Sequence, residues 1–143
     1  MKIYCALLSC LFLACSVKKE MYQVECYSLN NEGYVELKVS NLINPTDYQI
    51  EQASIDAIKA VLITGYSSVK CQTQKPILNT IEEKGNFKKI ESSFFSKKGA
   101  WKNFIRNTNN SQTDNGFFIM INKEQLRLYL EDKAVIKKLT NGF

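Results

Sequence analysis

Few side chains in this chain could do chemistry. It contains no histidine, which excludes Ser-His-Asp and Cys-His catalysis as well as metal sites built on histidine. No glycine-rich phosphate loop occurs. The acidic pairs Glu82-Glu83 and Glu131-Asp132 could serve in acid–base reactions, but both fall on polar faces of predicted helices, where solvated charge is the commoner role. We therefore expect no enzyme activity, no metal and no cofactor.

Cysteine is the remaining reactive residue, and one cysteine lies at the end of an export signal. Lys2 precedes the apolar run 3–14, which is too short to span a bilayer and has the proportions of a secretory leader. The run ends at Phe12-Leu13-Ala14-Cys15, which resembles a bacterial lipobox, although leucine is usual where Phe12 stands. Leu7-Leu8-Ser9-Cys10 fits that pattern better but leaves too short an apolar region. We expect lipidation of Cys15; an ordinary signal peptide is the alternative.

Lipidation would fix the location and the organisation of the protein. Residues 1–14 would be the signal peptide, 15–20 the lipid anchor with a short tether, and 21–143 a single domain. Acyl chains, at about 0.8 kcal/mol per buried CH₂, would hold the protein at a membrane. We expect a cell-envelope location at the outer membrane, facing the periplasm. The net charge of +5, or +4 without Lys2, is too small to suggest a nucleic-acid partner.

Two further cysteines, Cys26 and Cys71, remain in the predicted domain. In an oxidising periplasm they could form a disulfide. Two separate buried thiols are the alternative, because the sequence does not reveal the distance between the two Cα atoms.

Alternating and helical periodicities predict the order of elements. Residues 21–28 and 33–39 alternate around a turn at 30–33 and predict a β-hairpin with Val35, Leu37 and Val39 inward. A helix should start near 45–47, bury Ile50, Ala53, Ala57 and Val61, and expose Asp56. Residues 61–64 should form a short strand closed by Gly65, followed by a long loop at 66–80.

The pattern in the second half of the sequence predicts another helix, a hairpin and a last helix. Phe87, Ile90 and Phe94 have helical spacing, with a stop at Gly99. Strands at 101–106 and 117–121 should flank a polar turn at 107–115, and Asn122 should cap the last helix together with Gln125. The order β-β-α-β-α-β-β-α predicts an α+β fold of two layers, a mixed or antiparallel sheet of about five strands with helices on one face.

Aromatic and basic residues gather in the second half of the chain. The spacing of the aromatic residues favours core packing, with a ligand groove as the alternative. The adjacent pairs Phe94-Phe95 and Phe117-Phe118 each place one ring off the inner face unless both faces are covered. The 66–78 loop is long and could bind a partner, or could simply be held by Pro76 and a disulfide. We expect it to lie near Trp101. The candidate partner-contact residues are Lys70, Lys75, Lys97, Lys98, Lys102 and Arg106. For the last four, a solvated basic face is the alternative.

Several segments resemble a family of small exported proteins and lipoproteins of Bacteroidetes. The segments are AVLITG (60–65), QKPIL (74–78), FF...GAWKNFI (94–105) and INKEQLRLYLEDKAVIKKLTNGF (121–143). The sequence departs from the family pattern at Ile63-Thr64, where Phe-Lys is usual, and at Ala134, where glycine is usual. The family has no assigned activity, so the resemblance implies no functional residue. A looser similarity, of fold only, is to periplasmic domains of the TolB-N and curli-secretion-lipoprotein type.

Together these features predict an exported cell-envelope lipoprotein with a structural or protein-interaction role. Its partners would be the membrane, through the lipid anchor, and an envelope protein. A periplasmic binding module for an anionic envelope glycan or lipid is the alternative.

Overall fold

The computed structural model describes residues 22–30, 32–106, 112–113 and 115–139. The predicted leader and Cys15 lie outside the described residues, as do most of the polar turn at 107–115 and the last four residues. No helix within the described ranges is both long and apolar enough to cross a membrane.

An N-terminal β-hairpin forms as the alternation predicts. Strand β1 covers Tyr22–Leu29 and pairs antiparallel with β2, Tyr34–Asn41. The turn between them is closed by a hydrogen bond from the backbone N–H of Asn30 to the carbonyl of Tyr34 (3.1 Å). Gly33 has φ +78°, a backbone conformation in which a side chain is strained, so glycine suits this turn.

The sheet is antiparallel, and its strands are not in chain order. Strand β3 (Ile105–Arg106), β4 (Gln112–Thr113) and β5 (Gly116–Asn122) follow the helical half of the chain. Side by side, the strands run β1-β2-β5-β3, and the two-residue β4 also pairs with β5. The predicted pairing of two C-terminal strands is therefore present, but the element order is not the predicted one.

Short helices and helical turns form most of the regular structure outside the sheet. Helix α1 covers Ile50–Lys59 and continues into a π-helical turn at Ala60–Thr64. Helices α2 (Ile81–Lys88) and α3 (Glu91–Phe94) precede a 3₁₀ turn at Ala100–Phe104. Helix α4 covers Lys123–Asp132 directly after β5, and Asn122 caps it by accepting a hydrogen bond from the N–H of Gln125 (2.9 Å), as predicted.

The predicted strand at residues 61–64 is wrong. This apolar run continues helix α1 as the π-helical turn and ends at Gly65, which has φ +77°. Val61 and Leu62 are fully buried. A short apolar run does not show the periodicity that would distinguish a strand from a helix, and here the preceding helix extends through it.

The second predicted helix and the strand after it are also partly wrong. A capping box between Thr80 and Glu83 starts α2 where the predicted loop ends, but the helix is interrupted before Phe94. Gly99 does not stop it; this residue has an extended backbone and precedes the 3₁₀ turn. Only the last two residues of the predicted strand at 101–106 pair with β5.

The core lies between one face of the sheet and the helices. Val35, Leu37 and Val39 are buried as predicted, and α1 packs against β1, β2 and β5. The small side chains of Ala53 and Ala57 lie in the same apolar cluster, which lets the helix approach the sheet closely.

One residue of α1 contradicts the predicted helix faces. Asp56, predicted to be exposed, is only 4% exposed. It accepts hydrogen bonds from the Tyr48 hydroxyl (2.7 Å) and from the Gln52 side chain (3.0 Å). These partners satisfy the buried carboxylate. Ile50, predicted to be buried, is 42% exposed.

Helix α4 ends at a residue in the left-handed region of the backbone, Ala134. This alanine has φ +54° and follows the helix at the position where glycine is common. The N–H groups of Ala134 and Val135 bond to the carbonyls of Glu131 (3.1 Å) and Leu130 (2.9 Å), which is a Schellman motif.

We predict that Ala134→Gly raises the free energy of unfolding by roughly 0.5–1 kcal/mol, because glycine removes the left-handed strain at some entropic cost. Ala57→Gly, the same change inside α1, should lower it by at least about 1 kcal/mol. Urea unfolding of both variants measures the difference. A destabilised Ala134→Gly would contradict the strain argument.

Candidate functional site

A disulfide joins the 66–78 loop to the first strand. Cys26 in β1 is bonded to Cys71, with their Cα atoms 5.9 Å apart, and both residues are buried. Of the two arrangements that the sequence leaves open, the structure thus has the bridged one. The link fixes the loop at the outer edge of the sheet, beside β1.

Hydrogen bonds order this loop along its length. The Ser68 hydroxyl donates to the carbonyl of Cys26 and accepts from the N–H of Lys70 (3.1 Å). Tyr66 and Gln74 bond to each other through both backbone groups (2.8 and 3.1 Å). The N–H of Ile77 donates to the carbonyl of Val61 in the π-helical turn (2.9 Å). The loop is therefore a fixed surface.

Beside the loop lies a groove on the outer face of the sheet, which we call the outer groove. Its volume is about 600 Å³, and its lining includes Tyr27, Phe118, Lys38, Val69 and Lys70. The rings of Tyr27 and Phe118 have centroids 4.8 Å apart. The Lys70 ammonium lies 4.0 Å from the centroid of the Tyr27 ring, a cation–π contact. Tyr27 is 43% exposed, and Val69 is fully exposed.

The other basic candidates lie elsewhere. Arg106 is in β3, at the opposite edge of the sheet from β1, and its guanidinium lies 5.7 Å from the centroid of the Tyr34 ring. Three strand spacings, about 14 Å, separate these edges. Lys102 pairs with Glu51 of α1 at 3.5 Å. The structure thus does not bring the 66–78 loop and the predicted basic edge together. Three more candidates are exposed: Lys75, Lys97 and Lys98.

The predicted aromatic cluster is mainly core. Phe94, Trp101 and Phe104 are buried, and the indole N–H of Trp101 donates to the carbonyl of Ser96 (3.0 Å). The adjacent pair Phe117-Phe118 divides between the two faces of the sheet, whereas Phe95 packs against the ring of Phe87 beside the buried Phe94. Phe117 approaches Tyr48, with ring centroids 6.2 Å apart, whereas Phe118 lies in the outer groove.

One carboxylate of each acidic pair makes a local structural contact. The Glu83 carboxylate accepts from the N–H groups of Asn79 (2.8 Å) and Thr80 (3.0 Å) and so completes the cap of α2. Glu131 lies 3.1 Å from Arg127 on α4. The described part of the chain holds no group of three side chains suited to bind a metal ion.

Comparison with known proteins finds no relative of this chain. No protein-family model, no curated protein and no solved structure matches this chain.

Sequence reasoning missed two polar features. The first is the buried pair of Tyr48 and Asp56, in which burial and then the hydrogen bond to Asp56 raise the pKa of Tyr48 well above its usual value. The second is a groove at the start of α4 that includes Tyr66, Lys123 and Arg127. Only the spacing of Lys123 and Arg127, four residues apart in a predicted helix, could have indicated it.

Proposed function

We propose that this protein is an exported lipoprotein of the cell envelope that acts by binding and has no catalytic activity. The observation that carries the proposal is the bond between Cys26 and Cys71 in a chain that begins with a leader-like segment. Disulfides persist in oxidising compartments such as the periplasm and are rare in the cytosol. The leader and the disulfide thus support the same location.

The anchor in this proposal is a lipid on Cys15, which holds the domain at the outer membrane on its periplasmic side. Two or three acyl chains, each CH₂ contributing about 0.8 kcal/mol, suffice for stable attachment. We also propose membership of the Bacteroidetes family that the chain resembles. Glycine is usual in that family at the position that Ala134 occupies here, and the positive φ of Ala134 is a conformation that favours glycine.

The binding role is proposed from the outer groove. Exposed aromatic rings beside a fixed loop are typical of protein interfaces, and Lys70 adds a charge at the rim. Of the basic residues suggested by the sequence, Lys70 alone lines this groove. The alternative, binding of an anionic envelope glycan or lipid, is favoured by a different set of residues at the start of α4.

We predict that Cys15→Ser abolishes incorporation of labelled fatty acid and moves the protein from the detergent phase to the aqueous phase. The thiol of Cys15 would be the only acylation site in the leader region, so the loss should be complete. Cys10→Ser is the matched control and should leave labelling unchanged. Labelling that survives Cys15→Ser, or that is lost with Cys10→Ser, would contradict the assignment.

A further inference from the structure

A second groove, which we call the α4 groove, lies between the hairpin turn and the start of α4. Its volume is about 360 Å³. Leu29, Tyr34 and Tyr66 contribute apolar walls, while Lys123 and Arg127 contribute positive charges. A concave site with apolar walls and a few converging polar groups is the usual form of a small-ligand site.

The two cations lie one helical turn apart on the same face of α4. Lys123 is half-buried, with its ammonium 5.8 Å from the centroid of the Tyr66 ring. Burial and then the positive charge of Arg127 lower the pKa of Lys123. Arg127 Nε lies 3.1 Å from Glu131 Oε1, but the geometry is not that of a hydrogen bond. A bound anion would offset the repulsion between Lys123 and Arg127.

Tyr66 provides a separate indication of a ligand. The residue is 5% exposed, and its hydroxyl is buried with no hydrogen-bond partner among the described residues. Burial raises its pKa to about 12, so the hydroxyl stays protonated and able to donate at neutral pH. A buried polar group without a partner is rare in folded proteins and calls for a water, an ion or a ligand.

Glu124 adds a carboxylate to the lining of the α4 groove. Its carboxylate lies close to the hairpin turn. A Cβ atom added to Gly33 would be only 2.7 Å from Glu124 Oε2. A carboxylate accepts hydrogen bonds from hydroxyls and repels a second anion. The groove therefore suits a ligand with one anionic end and a neutral body that carries hydroxyl groups.

We propose that the α4 groove binds a phosphorylated sugar. The phosphate lies with Lys123 and Arg127, the Tyr66 hydroxyl is an additional donor, and the sugar ring packs on the aromatic walls. Glu124 accepts from the sugar hydroxyls. The sugar phosphate is either free or the headgroup of a glycolipid. This inference deepens the alternative named above, binding of an anionic glycan or lipid, and it does not depend on the anchor at Cys15.

Calorimetric titration of the purified protein with glucose 1-phosphate tests this site. We expect saturable binding that glucose alone does not give. Lys123→Gln and Arg127→Gln should each weaken the affinity roughly tenfold, because each removes a charge-assisted contact. Tyr66→Phe should weaken it about threefold without lowering the thermal midpoint.

The matched control is Lys133→Gln. Lys133 directly follows α4 and also lies over an aromatic ring, with its ammonium 5.7 Å from the centroid of the Tyr129 ring. It does not line the α4 groove. Its replacement should leave the affinity unchanged. An equal loss in this variant, or unchanged affinity in Lys123→Gln, would overturn the site.

A second titration, with monophosphoryl lipid A in mixed micelles, separates the two sources of ligand. Tighter binding than with glucose 1-phosphate assigns a glycolipid headgroup, and equal binding assigns a free sugar phosphate. No saturable binding of either probe overturns the proposal. Failure of lipidation at Cys15 would leave these results unchanged, so the two proposals fail separately.

Discussion

Replacing both Cys26 and Cys71 with alanine is expected to lower the free energy of unfolding by about 4 kcal/mol. The two residues are 45 positions apart, and a cross-link that closes so long a loop restricts the unfolded chain strongly. The loss is a large share of the stability of a domain of this size. Urea unfolding of the oxidised protein and of the double variant measures it.

Reduction provides the control for this prediction. A reductant should bring the wild-type unfolding midpoint close to that of the double variant and leave the double variant unchanged. A wild-type protein that is insensitive to reductant, or that has two reactive thiols when denatured without reduction, would contradict the disulfide.

Phe94→Ala is expected to cost about 3–5 kcal/mol, the second large effect. Phe94 is 1% exposed and lies among the rings of Phe87, Phe104 and Tyr129, with centroid distances of 5.5, 6.2 and 5.7 Å. Truncation would leave a cavity among side chains that cannot collapse easily.

Its neighbour is a matched control. Phe95 is only half-buried, against Phe87 and the Lys59 ammonium, so Phe95→Ala should cost less than half as much. Urea unfolding of both variants gives the comparison. Equal losses in the two variants would contradict the assignment of Phe94 to the core and of Phe95 to its margin.

The hairpin, strand β5 and helix α4 could be predicted because each carries a local signal. Period-two alternation defines β2, and Asn122 with Gln125 defines the start of α4. The run at 61–64 carries no such signal, since β-branched residues suit a strand and yet are tolerated where a preceding helix extends into the core. The α+β class was therefore predictable, but the element order was not.

The candidate sites depend on contacts between distant parts of the chain. The 66–78 loop was expected near Trp101, but it is fixed beside β1 by Cys71 and Ser68. Arg106 lies at the other edge because β5 inserts between β2 and β3. Strand order is a property of the whole fold, and local periodicity does not contain it. For the same reason the α4 groove could not be predicted from the sequence, because it brings Tyr66 together with residues that lie far along the chain.

The most direct test of the proposed function is the mass of the N-terminal peptide of the mature protein, isolated from cell envelopes without reduction. The account predicts a peptide that begins at Cys15 and carries a diacylglyceryl group on the thiol, with the Cys26 and Cys71 peptides linked. A mature chain that starts at another residue, or that keeps Cys15 as a free thiol, would contradict it.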